Sequence, residues 1–301
     1  MRAAVLVGFG GVDQLEIRET PEPKVGPGEI KVRVVGASIN PIDWKLREGA
    51  TRPGLKLELP AILGRDAAGE VVEVGPGVTR FRVGARVTGL VLGAYGERVV
   101  AKEDAWAEVP EKLDLVDAAA IPLVALTGAE LLEEAVRPRA GDTVLVTGAM
   151  GSVGRVAVFT AKSRGVNVWA GVRRAQKSAA AALGAAGVVA LDDEEDWRRL
   201  PTLDGIADTV GGPTTLKLLE KLRGGGSVGT VVGEPAGARE RGLEVRHIFA
   251  HPDPDRLASM VRAVAEGALV IPIARRFPLA EIRQAQELAE KGAGGKVLLQ
   301  F

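Results

Sequence analysis

The sequence of 301 residues predicts an α/β fold made of two parts, a β-rich, barrel-like domain and a doubly wound parallel sheet. The first hundred or so residues alternate short β-rich runs with glycine and proline, which is typical of an all-β domain. From about Asp117 onward, alanine- and leucine-rich helical stretches alternate with short apolar strands. A glycine-rich turn joins the first of these strands to its helix. Strands that alternate with helices along the chain favour parallel β-α-β crossover units.

The composition is that of an ordinary globular protein with room for two cores. Apolar residues make up 46% and charged residues 26%, and 39 Lys and Arg are balanced by 39 Asp and Glu, so we expect no nucleic-acid partner. The absence of cysteine excludes disulfides, thiolate nucleophiles and cysteine-ligated metal centres. No apolar run reaches the roughly 20 residues of a membrane span, and the opening run is too short for a signal peptide. We therefore expect a cytoplasmic protein without a membrane partner.

The individual elements follow from the period of the apolar residues. In the first part we predict strands in "AAVLV", "EIKVRVVGASI", "AAGEVVEVGPG", "ARVTGLV" and "GERVVA". In the second part the strands are "DTVLVTG", "VNVWAGV", "GVVAL", "GIADTV" and "SVGTVVG". The helices between them are "SVGRVAVFTAKSRG", "AQKSAAAALGA" and "TTLKLLEKLRGG". Crossovers of this length indicate a doubly wound, Rossmann-type sheet.

The end of the chain resembles the first part more than the second. After the helix "DRLASMVRAVAEGA" come "LVIPIARRFPLAEI", a last helix and the strand "GKVLLQF". We therefore predict that residues 1–115 and 267–301 form the β-rich domain, and that residues 116–266 form the nucleotide-binding domain between them.

The turn "AMGSVG" lies where the first parallel strand becomes a helix. Gly151 would let the backbone approach a pyrophosphate, and Gly154 would let the helix pack closely on the strand. Amides from Ser152 onward would point at the phosphates. The predicted phosphate-binding residues are Ala149, Met150, Gly151, Ser152, Val153 and Gly154. Because Ala149 stands where the usual fingerprint has its first glycine, a tight turn without a ligand stays the alternative.

Basic residues follow the second parallel strand, where NAD-binding domains usually place an acidic residue on the ribose hydroxyls. Here the strand is followed by Arg173 and Arg174, with Lys177 one helical turn further. Cations at this position suit the 2′-phosphate of NADPH, so we predict NADPH rather than NADH as the cofactor. A solvated, basic helix start is the alternative.

Several segments in order resemble the medium-chain dehydrogenase/reductase superfamily, and more narrowly its zinc-free quinone oxidoreductase branch. They are "GASINPIDWKLREG", "LPAILGRDAAGEVVEVGPGVTRFRVGARV", "AAIPLVALTGAELL", the "AMGSVG" turn and the closing "GKVLL". The resemblance implies a GroES-like barrel built from both chain ends, a Rossmann domain between them and a bound NADPH. It also implies homodimers formed through an edge strand of the nucleotide domain. The segment "SVGTVVGE" is our candidate for that strand, and the alternative is that its own chain covers it.

The resemblance carries further site residues with it. Those expected to line the cofactor are Asn40, Thr127, Thr209, Val232 and Gly233, and the candidates for contact with substrate are Asn40, Trp44 and Arg65. Asn40 has an alternative role as a turn former and Thr127 as a helix-start residue. Trp44 could stack on a planar quinone or simply form a hydrophobic wall. The only tyrosine, Tyr95, falls in a structural segment, which puts a tyrosine proton donor in doubt.

A zinc site is not expected. Zinc-dependent relatives carry Gly-His-Glu where this sequence has Gly64, Arg65 and Asp66, and a zinc ion usually needs three protein ligands. The two histidines, His247 and His251, lie in a segment where nearby prolines disfavour a helix.

Three functions remain open at this stage. The first is NADPH-dependent reduction of quinones by hydride transfer, which needs chiefly alignment of the two rings. The second is reduction of activated double bonds in enones, 2-alkenals or enoyl thioesters, where a proton donor matters more. The third is non-catalytic NADPH binding, because fold alone does not decide function.

Overall fold

The computed structural model describes residues 1–50 and 57–301. The chain divides into two compact units, the first formed by residues 1–123 and 251–301 and the second by residues 124–250. These boundaries differ from the predicted ones at both junctions. Residues 116–123 and 251–266 belong to the first unit, because the helix that ends near residue 265 packs on a β-strand of that unit rather than on the parallel sheet.

The elements are numbered in chain order. The strands are β1 (Arg2–Leu6), β2 (Leu15–Glu19), β3 (Glu29–Ser38), β4 (Ala61–Ile62), β5 (Asp66–Val74), β6 (Arg86–Leu90), β7 (Arg98–Lys102), β8 (Trp106–Glu108), β9 (Thr143–Thr147), β10 (Asn167–Val172), β11 (Gly187–Ala190), β12 (Leu203–Asp208), β13 (Leu222–Thr230), β14 (Glu244–His247), β15 (Ile273–Pro278) and β16 (Lys296–Gln300). The α-helices are α1 (Pro41–Arg47), α2 (Leu115–Ala118), α3 (Pro122–Glu130), α4 (Ser152–Ser163), α5 (Lys177–Ala180), α6 (Glu194–Trp197), α7 (Gly212–Leu218), α8 (Pro254–Ala265) and α9 (Ile282–Glu290).

The first unit is β-rich and contains strands from both ends of the chain. Its larger sheet has the order β15-β16-β3-β5-β6-β8, with β7 also paired to β3, and a smaller sheet has the order β2-β1-β4. β16 runs antiparallel to β3, with Leu298 opposite Ser38. Alternating residues of β3 point into a core that includes Val32 and Trp106. The C-terminal strand therefore completes the sheet that the N-terminal strands begin.

The second unit contains a parallel sheet of six strands in the order β11-β10-β9-β12-β13-β14. Its central strands, β9 and β12, are almost continuously buried, as expected when both faces of a sheet are covered. The chain continues from β9 to β10 on one side, whereas β12 pairs with β9 on the other. The strand order reverses at β9, so the carboxyl ends of β9 and β12 form the topological switch point. The predicted α/β class, with a GroES-like part and a Rossmann-type part, is confirmed.

Two local expectations were wrong. The segment "SVGTVVGE" does not provide an edge strand, because β13 pairs with β14 on its outer side and β14 is the edge. The predicted helix "TTLKLLEKLRGG" ends earlier, as α7 and a short 3₁₀ turn, and β13 already begins at Leu222. The sequence could not separate these states because Leu222 suits a helix as well as a strand.

One helical stretch, Leu115–Val136, is long and apolar enough to cross a membrane by length and composition. Acidic residues interrupt it, Asp117 and Glu130 among them. Its most apolar window is 78% buried, which is the pattern of a core helix in a globular protein.

Candidate functional site

The glycine turn lies at the carboxyl end of β9, as the sequence predicts. The tight turn uses Gly148, which has φ of +61° and stands directly over Thr209, whose hydroxyl oxygen would lie 2.5 Å from a Cβ at that position. Gly148 therefore performs the turn that Ala149 cannot perform, since Ala149 is buried and has an ordinary backbone conformation. Gly148 was not among the predicted site residues, although its place directly after the strand was a usable signal.

Gly154 and Gly151 differ in what surrounds them. A Cβ on Gly154 would lie 2.3 Å from the carbonyl oxygen of Gly148, so this glycine lets α4 pack against the turn. A Cβ on Gly151 would meet only that same carbonyl oxygen, at 3.2 Å, and otherwise open space. Gly151 also has φ of −73°, which any residue adopts. Among the described residues a Cβ here would be tight against this one oxygen and clear of other atoms, so Gly151 fits a turn whose open side receives a ligand.

The first turn of α4 offers amide donors at this open side. The helix begins at Ser152, and the N–H of Arg155 is the first to bond back, to the carbonyl oxygen of Gly151 at 2.9 Å. The amides of Ser152, Val153 and Gly154 precede it and have no carbonyl partner within the helix. A helix of 12 residues adds the partial positive charge of its N-terminus, which favours a phosphate group.

A buried aspartate, Asp208, links the ends of β9 and β12 through hydrogen bonds. One oxygen of Asp208 accepts hydrogen bonds from the hydroxyls of Thr147 and Thr215, both at 2.8 Å, and from two amides of the turn that follows β12. The Thr209 hydroxyl donates to the carbonyl oxygen of Thr147 at 2.7 Å. Thr209, a predicted cofactor residue, is thus fixed beside the glycine turn. Asp208 and Thr147 position this edge and were not predicted, because their pairing joins distant parts of the sequence.

The end of β13 lies at the same edge of the sheet. The hydroxyl oxygen of Thr230 accepts from the amides of Val232 and Gly233, both at 3.2 Å, and donates to the Gly233 carbonyl oxygen. Val232 is 44% exposed, and a Cβ on Gly233 would meet nothing within 4 Å. The structure therefore brings three predicted segments, at the ends of β9, β12 and β13, to one edge of the parallel sheet.

The basic residues after β10 lie at this edge but are not equally available. Arg174 forms an ion pair with Asp193 at 3.2 Å, and Lys177 forms one with Asp196 at 2.6 Å. The hydrogen bond from Lys177 lowers the pKa of Asp196. Among the described residues, the Arg173 guanidinium has no ion-pair partner. Within residues 1–50 and 57–301, Arg173 is thus the one of the three predicted cations that has no ion-pair partner, and it is available to meet a phosphate.

Thr127 and Met150 complete the predicted set in this unit. Thr127 lies in the middle of α3 and is half-buried, so its alternative role as a helix-start residue is wrong. Met150 is half-buried in the glycine turn, and its carbonyl oxygen accepts from the Arg155 side chain at 3.1 Å.

In the first unit, Asn40 belongs to a buried polar network. It caps α1 and is 1% exposed. Its side-chain oxygen accepts from the ammonium of Lys296 at 2.6 Å, and its side-chain nitrogen donates to Asp66 at 2.8 Å. Asn40 therefore does form a turn, the alternative that the sequence left open, and its amide is held rigidly from both ends.

Asp66 is the centre of this network. It is fully buried, and it accepts from the Ser38 hydroxyl at 2.6 Å and from the Leu123 amide at 2.7 Å, in addition to Asn40. The ammonium of Lys296 lies 3.5 Å away, and burial lowers the pKa of this lysine while the Asp66 charge opposes the change. Lys296 comes from the closing "GKVLL" segment and was not predicted as a site residue, because only the fold brings it beside Asp66.

Asp43 and Tyr95 form a second buried pair next to this network. The Tyr95 hydroxyl donates to Asp43 at 2.7 Å, and the Asn40 amide donates to the same oxygen at 2.8 Å. The other oxygen of Asp43 is buried and has no hydrogen-bond partner among the residues that the structure describes. Burial raises the pKa of Asp43 to about 7, and burial also raises that of Tyr95. Because Tyr95 is fully buried, the sequence-based doubt about a tyrosine proton donor fits its position.

Trp44 and Arg65 lie near this network. Trp44 is half-buried in α1 and packs against the core of the first unit, which agrees with the hydrophobic-wall alternative for at least part of its surface. Arg65 is half-buried between Gly64 and Asp66, and its carbonyl oxygen accepts from Val91. Gly64 has φ of +98°, and a Cβ there would lie 2.5 Å from the Tyr95 ring.

Known proteins resemble this chain along its whole length. The family model for the alcohol dehydrogenase GroES-like domain matches residues 26–111, and the model for zinc-binding dehydrogenases matches residues 183–299. A quinone oxidoreductase of Pseudomonas aeruginosa is 34% identical, with 97% of each chain covered. A 2-haloacrylate reductase of Burkholderia sp is 32% identical over 73% of this chain and 70% of its own. The solved structure of the Coxiella burnetii quinone oxidoreductase has a TM-score of 0.90 at 29% identity, covering 100% of this chain and 99% of that one.

Proposed function

Because the chain belongs to the medium-chain dehydrogenase/reductase superfamily, in its quinone oxidoreductase branch, we propose that it reduces quinones with NADPH and without zinc. The family places it among the oxidoreductases that use a nicotinamide cofactor. The observation that carries the proposal is the glycine turn at the switch point of the parallel sheet, open at Gly151. Arg173 follows the neighbouring strand β10 and has no ion-pair partner in the described part of the chain.

NADPH is favoured over NADH by the charges at the end of β10. The strand ends at Val172 and is followed at once by Arg173, where an NAD-binding domain would usually have an acidic residue. Arg174 and Lys177 form exposed ion pairs with aspartates of the neighbouring segment, which offset part of the charge that they offer to a phosphate. One guanidinium that forms a charge-assisted hydrogen bond contributes about 1.5–3 kcal/mol, which is enough to set a cofactor preference.

Zinc independence is supported by the donor set around Asp66. Its carboxylate accepts hydrogen bonds from Ser38, Asn40 and Leu123, and the cation beside it is the ammonium of Lys296. A divalent ion at this place would be repelled by Lys296 and by the neighbouring Arg65, and it would have to displace the hydrogen bonds of Asn40. Zinc sites are built from thiolate, imidazole or carboxylate ligands, and neither of the two basic side chains serves as one.

The chemistry then depends on binding and alignment. NADPH supplies a hydride, and a quinone accepts it as an oxygen takes up negative charge. The amides of Ser152, Val153 and Gly154 and the guanidinium of Arg173 would hold the phosphates, while Thr209 and Val232 line the same edge. Asn40 and Trp44 are our candidates for contact with the quinone. Proton uptake from water completes the reduction, so no strong acid of the protein is needed.

A second candidate function is the reduction of activated double bonds. It is favoured by the relative named as a 2-haloacrylate reductase, which is 32% identical over 73% of this chain. Such a reaction places carbanion-like charge in the substrate and makes a proton donor more important. The tyrosine of this chain is buried and donates to Asp43, which favours the quinone hypothesis over this one.

The experiment is to follow NADPH and NADH oxidation by absorbance with a panel of quinones, 2-alkenals, a 2-haloacrylate and an enoyl thioester, each with and without a chelator. We expect turnover with quinones and NADPH that the chelator leaves unchanged. Preference for the alkenals or the haloacrylate would favour the second function. Binding of NADPH without turnover of any acceptor would indicate a non-catalytic role. We propose a cytoplasmic location and a homodimer for the same protein, which sedimentation would test.

A further inference from the structure

A cavity of about 310 Å³ opens at the amino-terminal edge of the parallel sheet, within the second unit. It is lined where β9, β12 and β14 begin, and arginine side chains are unusually frequent around it: Arg137, Arg139, Arg223 and Arg246. The glycine turn lies at the other end of β9. Five residues of β-strand separate the two edges by about 16 Å, so this cavity is not part of the nucleotide edge.

Two of the four arginines are engaged by carboxylates. Arg223 bonds Asp204 at 2.6 Å, and Arg246 bonds Glu244 at 2.7 Å. Asp204 in turn accepts from the first amide of β9 at 2.8 Å. These pairs build the wall of the cavity and leave little of their charge for a ligand.

The other two arginines retain unused donors. Arg137 uses its Nε to reach the Glu134 carbonyl oxygen at 2.7 Å, which leaves both terminal nitrogens without a bond among the described residues. The Arg139 side chain has no hydrogen-bond or ion-pair partner within the described part of the chain. Asp142, the remaining carboxylate of the wall, accepts from the Arg139 backbone amide at 2.8 Å. Two arginines separated by one residue thus line the cavity with most of their side-chain donors unused among the described residues.

The backbone at Arg137 provides a second, independent observation. Arg137 has φ of +55° and ψ of +48°, and within the described residues every other position with a positive φ is a glycine. This left-handed conformation is unfavourable for an arginine, and glycine would adopt it freely. The chain thus has an arginine in a strained conformation at a helix end where glycine would be the least strained residue. A side chain kept in a strained position is a hypothesis of function.

We propose that this cavity binds a small phosphorylated molecule, with the phosphate group between Arg137 and Arg139. Guanidinium groups match the oxygens of a phosphate with paired hydrogen bonds. The volume is at the lower end of the range for small-molecule sites, which suits a phosphate ester of a few carbon atoms. The wall carboxylates Asp142 and Glu244 would accept from hydroxyl groups of such a molecule. The site is separate from the reductase chemistry and would stabilise the second unit when filled.

The test is a thermal-shift and calorimetric titration of the full chain with inorganic phosphate and with glycerol 3-phosphate, against sodium chloride at equal ionic strength. For a ligand at ten times its dissociation constant we expect Tm to rise by about 3 °C or more. The matched variants are Arg137→Gly with Arg139→Gln at this cavity, and Arg173→Gln with Arg174→Gln at the nucleotide edge. In sodium chloride without phosphate, Arg137→Gly should raise Tm, because glycine relieves the strained backbone conformation. A raised Tm under that condition would show that the variant is folded.

The outcomes separate cleanly. Loss of the phosphate effect in the first variant pair and its retention in the second would support the proposal, and a larger effect of glycerol 3-phosphate than of phosphate would support an ester as the ligand. Retention in the first pair with loss in the second would assign the anion to the nucleotide edge and overturn the proposal. No effect of either anion on the unaltered protein would also overturn it. Reductase activity does not enter these results, so they do not depend on the proposed function.

Discussion

Replacing Asp43 by asparagine tests the buried network through the pH dependence of stability. One oxygen of Asp43 accepts from Tyr95 and from the Asn40 amide, and the other has no partner. An asparagine at position 43 can keep its oxygen on the two donors and place its nitrogen where the unpartnered oxygen now lies. The buried nitrogen costs about 1–3 kcal/mol, and this cost does not change with pH. The informative quantity is therefore the change of stability with pH.

The sign follows from the direction of the shift. Burial raises the pKa of Asp43 from 3.8 to about 7, so between these values the folded chain holds a proton that the unfolded chain has released. The free energy of unfolding must then fall as the pH rises through this window. Between pH 5 and pH 8 the contribution of this one carboxyl is about 2.5 kcal/mol, with the protein more stable at pH 5. Asp43→Asn removes the contribution because its side chain does not titrate.

The assay is urea unfolding at pH 5, 6, 7 and 8, followed by tryptophan fluorescence, to which Trp44 and Trp106 of the same unit contribute. We expect the difference between pH 5 and pH 8 to shrink by about 2.5 kcal/mol in Asp43→Asn. Asp104→Asn, which removes an exposed carboxyl, serves as the control and should keep the original difference. If Asp43→Asn keeps it too, Asp43 does not titrate in this window and our reasoning about the pair fails.

Three further predictions concern the buried network around Asp66 and the edge of the parallel sheet that carries the glycine turn. Lys296→Met should lower the free energy of unfolding by about 3–5 kcal/mol, because the buried carboxylate of Asp66 loses its cation. Lys296→Arg keeps a cation and should lower the free energy of unfolding less, and urea titrations would measure both. Arg173→Ala should raise the KM for NADPH about tenfold while Arg174→Ala changes it less than about twofold, since only the second is already paired; equal effects would contradict this. Gly154→Ala should cost about 2 kcal/mol or more, because its Cβ would lie 2.3 Å from the Gly148 carbonyl oxygen. Gly151→Ala should cost less, about 1 kcal/mol, because its only tight contact would be with that oxygen at 3.2 Å, and calorimetry should still show weaker NADPH binding.

The parallel sheet could be predicted because its signals are local. β9, the glycine turn and α4 follow one another within about twenty residues, and the change from buried strand to amphipathic helix is visible in the sequence. The domain boundary was not visible in the same way. α8 has the apolar spacing of a crossover helix, yet it packs on β8 of the first unit and not on the parallel sheet. Periodicity shows that a helix buries one face, but it does not show which sheet covers that face.

The candidate site could likewise be predicted only in part. The residues of the turn and the ends of β12 and β13 lie at one edge because parallel strands place their carboxyl ends together. The pairing of Asp43 with Tyr95, and of Asp66 with Lys296, joins residues 52 and 230 positions apart, and no spacing rule connects them. The ion pairs that engage Arg174 and Lys177 also depend on a neighbouring strand. Sequence reasoning found cations there but could not tell which of them is free.

The C-terminal strand has an electrostatic as well as a structural role. β16 pairs with β3, and this pairing carries Lys296 to the carboxylate of Asp66 at the start of β5. A buried carboxylate that keeps its charge needs a partner of opposite charge or strong donors, and here the protein supplies both from its own chain. The two ends of the first unit are therefore joined by a charge as well as by a β-ladder. Asn40 lies between the acid and the lysine, so its orientation depends on the last strand of the chain, and any contact that Asn40 makes with a substrate or cofactor depends on it too.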